Sequence, residues 1–184
     1  MKRTTLALCA ATAALLTLGG CANKVHEYAP SAENILMLQS LKGSKIALGD
    51  FTDSGRDEST LMCRLSTPVG TASGETFATY IKRAFKKELV LAGLYDPKAP
   101  IRLEMNLDDI YGSTVLGNAY WEFKVTLTSS NGKRMSKTVR YDYESSYLAT
   151  SACSEMQRSF VLAVQKLIRE IVSDPRFKEL VRPA

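Results

Sequence analysis

Three stretches between residues 101 and 143 alternate apolar with polar side chains, and this alternation is the pattern that most restricts the fold. It is typical of strands that are buried on one face only. The apolar positions are Ile101, Leu103, Met105 and Leu107, then Ala119, Trp121, Phe123, Val125 and Leu127, then Met135, Val139, Tyr141 and Tyr143. Asn131-Gly132 separates the last two stretches and favours the type I′ turn of a β-hairpin. The sequence therefore predicts three antiparallel strands, with residues 111–118 as a loop.

Apolar residues at helical spacing flank these strands on both sides. The two sets are Phe77, Ile81, Ala84, Phe85, Leu89 and Ala92, and Met156, Phe160, Val164, Leu167 and Ile171. The first set predicts an amphipathic helix over 75–92, with Ser73 as its N-cap and Gly93 ending it. The second predicts a helix over about 151–172. Residues 45–52 predict one further strand ahead of both helices.

Helices with one apolar stripe and strands with one apolar face bury these surfaces by packing against each other. The predicted fold class is α+β: a two-layer sandwich in which a mainly antiparallel sheet carries two helices packed on one face. The other face of the sheet should meet water, because it carries only polar side chains. These are Glu122, Lys124, Thr126, Thr128, Arg134, Thr138, Arg140 and Asp142.

The first 21 residues have the layout of an export signal. Lys2 and Arg3 precede a mostly apolar run over 6–18, and small residues stand before a cysteine in Leu18-Gly19-Gly20-Cys21. This layout resembles a bacterial lipoprotein signal, which implies a diacylglyceryl group on the Cys21 thiol, cleavage after Gly20 and acylation of the new amino terminus. The alternatives are a soluble-secretory signal or an uncleaved membrane helix, but the apolar run is shorter than the ~20 residues that cross a bilayer.

The chain is accordingly divided into a lipoprotein signal peptide over 1–20, a lipidated tether over 21–44 and a single α+β periplasmic domain over 45–184. Several acyl chains hold a protein to a membrane permanently. By resemblance to the sorting rules of enteric bacteria, the absence of aspartate from Ala22-Asn23 predicts the outer membrane, with the domain facing the periplasm. The formal net charge is only +5, which is too small to indicate a nucleic-acid partner.

The cysteines divide between the signal segment and the domain. Of the four, Cys9 leaves with the signal and Cys21 is the lipidation site, so Cys63 and Cys153 remain in the domain. A pair of cysteines in an oxidising compartment is more often a disulfide than two free thiols. Two buried thiols that pack as small apolar side chains are the alternative.

Catalytic and metal-binding arrangements are scarce in this sequence. His26 is the only histidine and lies in the predicted tether, so no histidine-based catalytic arrangement or ordinary zinc site can be assembled in the domain. Asp108 and Asp109 are adjacent in a strand and are predicted to point to opposite faces, which disfavours joint acid and base catalysis. We expect no enzyme activity, no cofactor and no metal.

Several features look like a known family. They are the run from Phe77 to Gly93-Leu94-Tyr95, the strand over 101–110, the Ser130-Asn131-Gly132-Lys133 hairpin with Met135 and Lys137, the strand end Tyr141-Asp142-Tyr143, and the helix pairs Ala163-Val164 and Leu167-Ile168. Their order and spacing resemble the YajG-like family of uncharacterised bacterial lipoproteins over most of 77–180. The matching residues are turn formers and core residues, so the resemblance implies a fold and says almost nothing about function.

Two surfaces are candidates for partner contact. One is a basic stretch of the first helix, consisting of Lys82, Arg83, Lys86 and Lys87. It would suit anionic lipid headgroups or an acidic partner, but such a stretch is more often simply a solvated helix face. The other is tyrosine-rich and includes Tyr141 and Tyr143, which sheet packing explains equally well. The predicted function is a non-catalytic binding or scaffolding module in cell-envelope assembly or maintenance, with an envelope protein or glycolipid as partner. A carrier of lipid or a small ligand between helices and sheet is the alternative.

Overall fold

The computed structural model describes residues 23–41, 43–54 and 58–183. The predicted signal peptide and Cys21 lie outside these residues. Within the described ranges, no helix is long and apolar enough to cross a membrane. In chain order the elements are β1 (Asn23–Lys24), α1 (Ala32–Gln39), β2 (Ile46–Asp53), β3 (Thr60–Cys63), β4 (Thr67–Gly70), α2 (Phe77–Leu91), β5 (Ile101–Val115), β6 (Asn118–Ser129), β7 (Arg134–Tyr143), α3 (Ala149–Val172) and α4 (Pro175–Leu180).

The larger sheet has the strand order β2-β5-β6-β7. β5, β6 and β7 form the antiparallel run that the alternation predicts. β2 joins β5 in parallel, and a parallel neighbour needs a crossover connection. α2, which lies between these two strands in the sequence, is that crossover. The sheet is therefore mixed but mainly antiparallel.

α2 and α3 cover one face of this sheet, and aromatic side chains fill the space between the layers. Trp121 and Phe123 of β6 lie 4.9 Å and 6.1 Å, between ring centroids, from Phe160 of α3. Phe160 also lies 5.3 Å from Phe77 of α2. The Trp121 indole N–H, which would be costly to bury unpaired, donates to the Met156 carbonyl at 3.1 Å. The predicted α+β two-layer sandwich is confirmed.

The ends of α2 differ in how well the sequence predicted them. Its N-cap is Thr76, whose hydroxyl accepts a hydrogen bond from the Thr79 N–H at 3.2 Å. Ser73 was the wrong choice, because a further turn with Gly74 at φ +73° stands between it and the helix. The predicted end is confirmed: Gly93 has a φ of +73°, in the left-handed region that glycine adopts at low cost.

The prediction of a tether over 21–44 is wrong for the described part of that range. Val25, Tyr28 and Leu38 are buried in the core, and α1 packs against α2 and α3. Asn34 of α1 donates to the Gln165 carbonyl of α3 at 2.9 Å. Apolar residues this sparse show no clear period in the sequence, but together they attach the segment to the outer side of both large helices.

Two turn predictions also need correction. Residues 111–115 continue β5 instead of forming a loop, because β6 pairs with them as far as Val115. In the β6–β7 hairpin, Gly132 has a positive φ of +82° but Asn131 does not, and a type I′ turn needs both. The Gly132 N–H bonds the Ser129 carbonyl at 2.9 Å, which is the three-residue hairpin that ends in a left-handed glycine.

A smaller sheet, with the strand order β1-β4-β3, stands beside α3 and β5. β3 and β4 form a hairpin whose two central residues, Arg64 and Leu65, have φ angles of +51° and +59°. The Ser66 N–H bonds the Cys63 carbonyl at 3.2 Å. The type I′ conformation thus occurs here, at two side chains that rarely adopt it.

Candidate interaction surfaces

Cys63 and Cys153 form a disulfide, as the sequence predicts. Their Cα atoms lie 5.7 Å apart, inside the range that a bridge spans. The bond joins the last residue of β3 to the first turns of α3, and both cysteines are buried. It therefore fixes the Arg64-Leu65 turn to the start of the longest helix.

The four predicted basic contact residues lie on the outer side of α2, and this set is called the basic face below. Arg83 pairs with Glu27 at 2.6 Å and with Glu75. Lys87 donates to the Tyr28 carbonyl at 3.1 Å. The other two have weaker contacts: Lys82 lies 3.9 Å from Asp50, and Lys86 lies 4.9 Å from the centroid of the Tyr95 ring. Each cation thus has a neighbour within the chain, and a role in partner contact stays a prediction.

A buried carboxylate on the same helix holds the amino-terminal segment. Glu88 is fully buried, and its Oε1 accepts hydrogen bonds from the Tyr28 hydroxyl, from the Ser31 N–H at 3.0 Å and from the Asn34 amide at 3.2 Å. Its Oε2 is buried without a hydrogen bond. Burial raises the pKa of Glu88 above its ordinary value, although the three hydrogen bonds oppose this. The predicted amphipathic helix therefore has a buried polar side chain that binds the amino-terminal segment, which periodicity does not reveal.

The tyrosines do not form one surface. Tyr141 and Tyr143 share the helix-facing side of β7 with Met135 and Val139 and are only partly exposed. The Tyr143 hydroxyl donates to the Ser113 carbonyl at 2.8 Å, and burial raises the pKa of this hydroxyl. On the opposite face of the sheet, the rings of Tyr111 and Tyr120 lie 5.8 Å apart, and the Arg140 guanidinium lies 3.6 Å from the centroid of Tyr120. Partner contact by Tyr141 and Tyr143 also stays a prediction. Such a contact would have to use the helix-facing side of β7, because neither tyrosine lies on the polar face of the sheet.

Sequence reasoning missed an exposed apolar surface at one end of the molecule. Five of the eleven large apolar side chains exposed among the described residues belong to three neighbouring turns: Leu65, Val115, Leu116, Tyr147 and Leu148. These five residues are called the apolar end. Leu65 is 93% exposed and Tyr147 is 85% exposed.

Arg64 holds the three turns of the apolar end together. Its guanidinium donates to the Thr114 carbonyl at 3.0 Å and to the Ser146 carbonyl at 2.7 Å. The Ser145 hydroxyl donates to the same Thr114 carbonyl at 2.9 Å. Leu148 follows as the N-cap of α3 and makes no side-chain cap bond, although polar residues are strongly preferred at that position. The signal available in the sequence was this apolar pair, Tyr147-Leu148, next to a helix start.

The adjacent carboxylates Asp108 and Asp109 lie on one face of the sheet, which contradicts the prediction of opposite faces. A β-bulge between Leu107 and Asp109 shifts the register, and such an insertion reverses the alternation. Asp108 accepts hydrogen bonds from Thr126 at 2.7 Å and from Asn106 at 2.6 Å, whereas Asp109 pairs with Lys124 at 3.4 Å. Both have nearby donors, and in the described part of the chain no group of three or more His, Cys, Asp or Glu residues could hold a metal ion.

Comparison with protein-family models and with curated proteins finds no match for this chain. Membership of the YajG-like family therefore stays a prediction from the quoted residues.

Proposed function

We propose that the protein is an outer-membrane-anchored periplasmic lipoprotein that serves as a non-catalytic binding or scaffolding module in cell-envelope assembly or maintenance. The observation that carries the proposal is the bond between Cys63 and Cys153. Disulfides persist in oxidising compartments and are rare in the bacterial cytosol. This bond agrees with the export signal that ends at Leu18-Gly19-Gly20-Cys21, which is an independent feature of the chain.

The packing between helices and sheet favours a binding surface over an internal carrier site. The rings of Phe77, Tyr80, Trp121 and Phe160 contact one another in the position that a carried lipid would occupy. The depression between α1 and α3 is open and is lined mainly by polar residues, among them Asn34, Gln165 and Arg169. Recognition is therefore assigned to the surface.

The anchor is tested by changing Cys21→Ser in the full chain, with Cys9→Ser as the matched control. Both replace a cysteine of the signal segment by the same residue, but only Cys21 is the predicted lipidation site. We expect Cys21→Ser to abolish cleavage and acylation, and Cys9→Ser to leave both unchanged. Intact mass and separation of the two bacterial membranes by density measure this. A Cys21→Ser protein that is still cleaved and still acylated contradicts the proposal.

The module is tested by cross-linking in intact cells, followed by identification of the captured species by mass spectrometry. We expect one recurring envelope protein or glycolipid with the wild-type chain, and its loss with the mislocalised Cys21→Ser chain. Turnover of an envelope substrate by the purified protein would contradict the non-catalytic assignment.

A further inference from the structure

We propose that the apolar end lies against the membrane that holds the lipid anchor, so that Leu65, Tyr147 and Leu148 insert among the lipid headgroups. This inference rests on the proposed acylation of Cys21. It adds the orientation of the domain and a second, non-covalent contact with the same membrane. Three observations support it: the direction of β1, the short reach of the chain from Cys21, and the chemistry of the surface found there.

The direction of β1 places its start toward the apolar end. β1 runs parallel to β4, with Asn23 beside Val69 and Lys24 beside Gly70. β4 itself leads away from the Arg64-Leu65 turn. The beginning of β1 is therefore the end of that strand nearer to the turn.

The reach from the lipidation site is short. Only two residue steps separate Cys21 from Asn23, and two residues span at most about 7 Å. Leu65 lies four residues from Val69, roughly 10 Å away when the strand rise of ~3.3 Å per residue is shortened by the turn. An acylated Cys21 therefore holds the membrane surface near the level of Leu65. A domain attached this closely cannot turn its opposite end toward the same membrane.

The surface at this level has the composition of a membrane contact. It combines leucine, valine and tyrosine on three turns that Arg64 and the disulfide hold together. Side chains that bind at a membrane interface are buried about 5–10 Å into the boundary between headgroups and acyl chains, which suits turns better than a flat sheet face. Exposed apolar clusters are otherwise a liability for aggregation.

The backbone conformation at Leu65 also indicates that this apolar side chain has a contact outside the chain. Leu65 has a φ of +59°, where leucine is less stable than asparagine or glycine. Leu65 is 93% exposed, so packing within the chain does not offset the cost of its backbone conformation. A contact outside the chain accounts for both properties.

The experiment places a second tryptophan in the acylated full-length mature protein and measures its depth in vesicles of phosphatidylethanolamine and phosphatidylglycerol. Trp121 is the only native tryptophan and is fully buried, so it gives a constant background. Tyr147→Trp reports on the apolar end, and Leu36→Trp reports on α1, where Leu36 is 67% exposed. Lipids with spin labels near the headgroup should quench the added emission at 147 by about half or more at interfacial depth. Emission from position 36 should stay unquenched.

A second variant tests whether the apolar side chains cause the contact. Leu65→Asn, combined with Tyr147→Trp, should reduce the quenching at 147 at least about twofold because part of the inserted apolar area is lost. The fold should be retained, since asparagine tolerates this backbone conformation. Urea unfolding checks that stability is not lowered.

The outcomes separate this inference from the proposed function. An acylated protein in which positions 147 and 36 are quenched equally, or position 147 is not quenched, overturns the orientation and leaves the lipoprotein proposal intact. Shielding of position 147 from water by a captured protein, without quenching by lipid labels, also overturns it and assigns the apolar end to a protein partner. Absence of acyl chains on Cys21 overturns both proposals.

Discussion

The basic face of α2 and the apolar end are the two surfaces with unusual composition, and they differ in what they contact. On the basic face, Arg83 and Lys87 bind the amino-terminal segment through Glu27 and the Tyr28 carbonyl. At the apolar end, Leu65 and Tyr147 project into solvent almost completely. The surface with the stronger sequence signal is thus largely engaged within the chain, and the surface with the weaker signal is free.

A run of charged residues and a run of exposed apolar residues therefore carry unequal information about binding partners. Charged side chains on a helix obtain neighbours at little cost, because long flexible stems reach many acceptors. An exposed leucine obtains nothing from solvent, so its retention needs an explanation outside the folded chain. The two surfaces should therefore respond differently to substitution, stability changing at one and association at the other.

The largest expected effect concerns the disulfide between Cys63 and Cys153, which lies next to the apolar end. Replacing both Cys63 and Cys153 with alanine should lower the free energy of unfolding by about 4 kcal/mol, because the bond restrains a long loop in the unfolded chain. The cysteines are 90 positions apart. Urea unfolding measures the loss, and hydrogen exchange should rise in β3 and β4 more than in α2.

Wild-type protein treated with a thiol reductant is the control, since it should match the double variant. If stability and exchange are unchanged in both, the bond does not hold the apolar end in place.

The second prediction concerns Glu88, the carboxylate that is buried beneath the basic face. Glu88→Ala should lower the free energy of unfolding by about 2–4 kcal/mol, because it leaves the Tyr28 hydroxyl, the Ser31 N–H and the Asn34 amide without their acceptor. Thermal or urea unfolding measures this. Glu88→Gln keeps an acceptor oxygen and is the matched control, which should lose less.

The wild-type protein and Glu88→Gln together test the titration of Glu88. Burial raises the pKa of this carboxyl above its ordinary 4.5, so the folded chain binds the proton more tightly than the unfolded chain. The stability that protonation provides is full below the unfolded pKa and is lost as the pH rises through the folded pKa. The free energy of unfolding of wild type minus that of Glu88→Gln should therefore increase on acidification from neutral pH toward 4.5. A decrease over that range would contradict the raised pKa.

The smallest effect is expected on the basic face itself. Changing Lys82, Arg83, Lys86 and Lys87 together to glutamine should lower the free energy of unfolding by about 1–2 kcal/mol in total, since exposed ion pairs and cation–π contacts contribute under about 1 kcal/mol each. The loss should shrink at high salt. Changing Lys133 and Arg134 of the β6–β7 hairpin to glutamine is the control and should alter stability by less than about 0.5 kcal/mol.

Loss of the cross-linked partner in the folded fourfold variant would contradict this distinction between the two surfaces, because it would make the basic face a binding surface as well.

The sequence predicted the elements whose pattern is continuous and local. The alternation through Trp121 and Phe123 and the spacing of Phe77 and Phe160 gave the strands and helices of the sandwich, because each pattern repeats over several turns or pleats. Cys63 and Cys153 could be paired because the domain offers one pair. The crossover that makes β2 parallel to β5 could not be predicted, since it depends on the direction in which α2 packs on the sheet.

The features that were missed depend on single residues or on distant contacts. The β-bulge between Leu107 and Asp109 places Asp108 on the same face of the sheet as Asp109. A single inserted residue of this kind leaves no sign in the periodicity of the sequence. The segment with Val25 and Tyr28 is ordered by Glu88, about 60 positions away. The apolar end combines residues near 65, 115 and 147, and each of these turns alone looks like an ordinary loop.

The attachment of α1 to α3 has a consequence for the order of folding. The Asn34 amide donates to the Gln165 carbonyl, and the Gln165 amide donates to the Ala29 carbonyl. Residues more than 130 positions apart thus satisfy each other's hydrogen bonds. Contacts of such high sequence separation form late, because the entropy of closing the intervening chain must be overcome first. The core cannot close while the last third of the chain is still being synthesised.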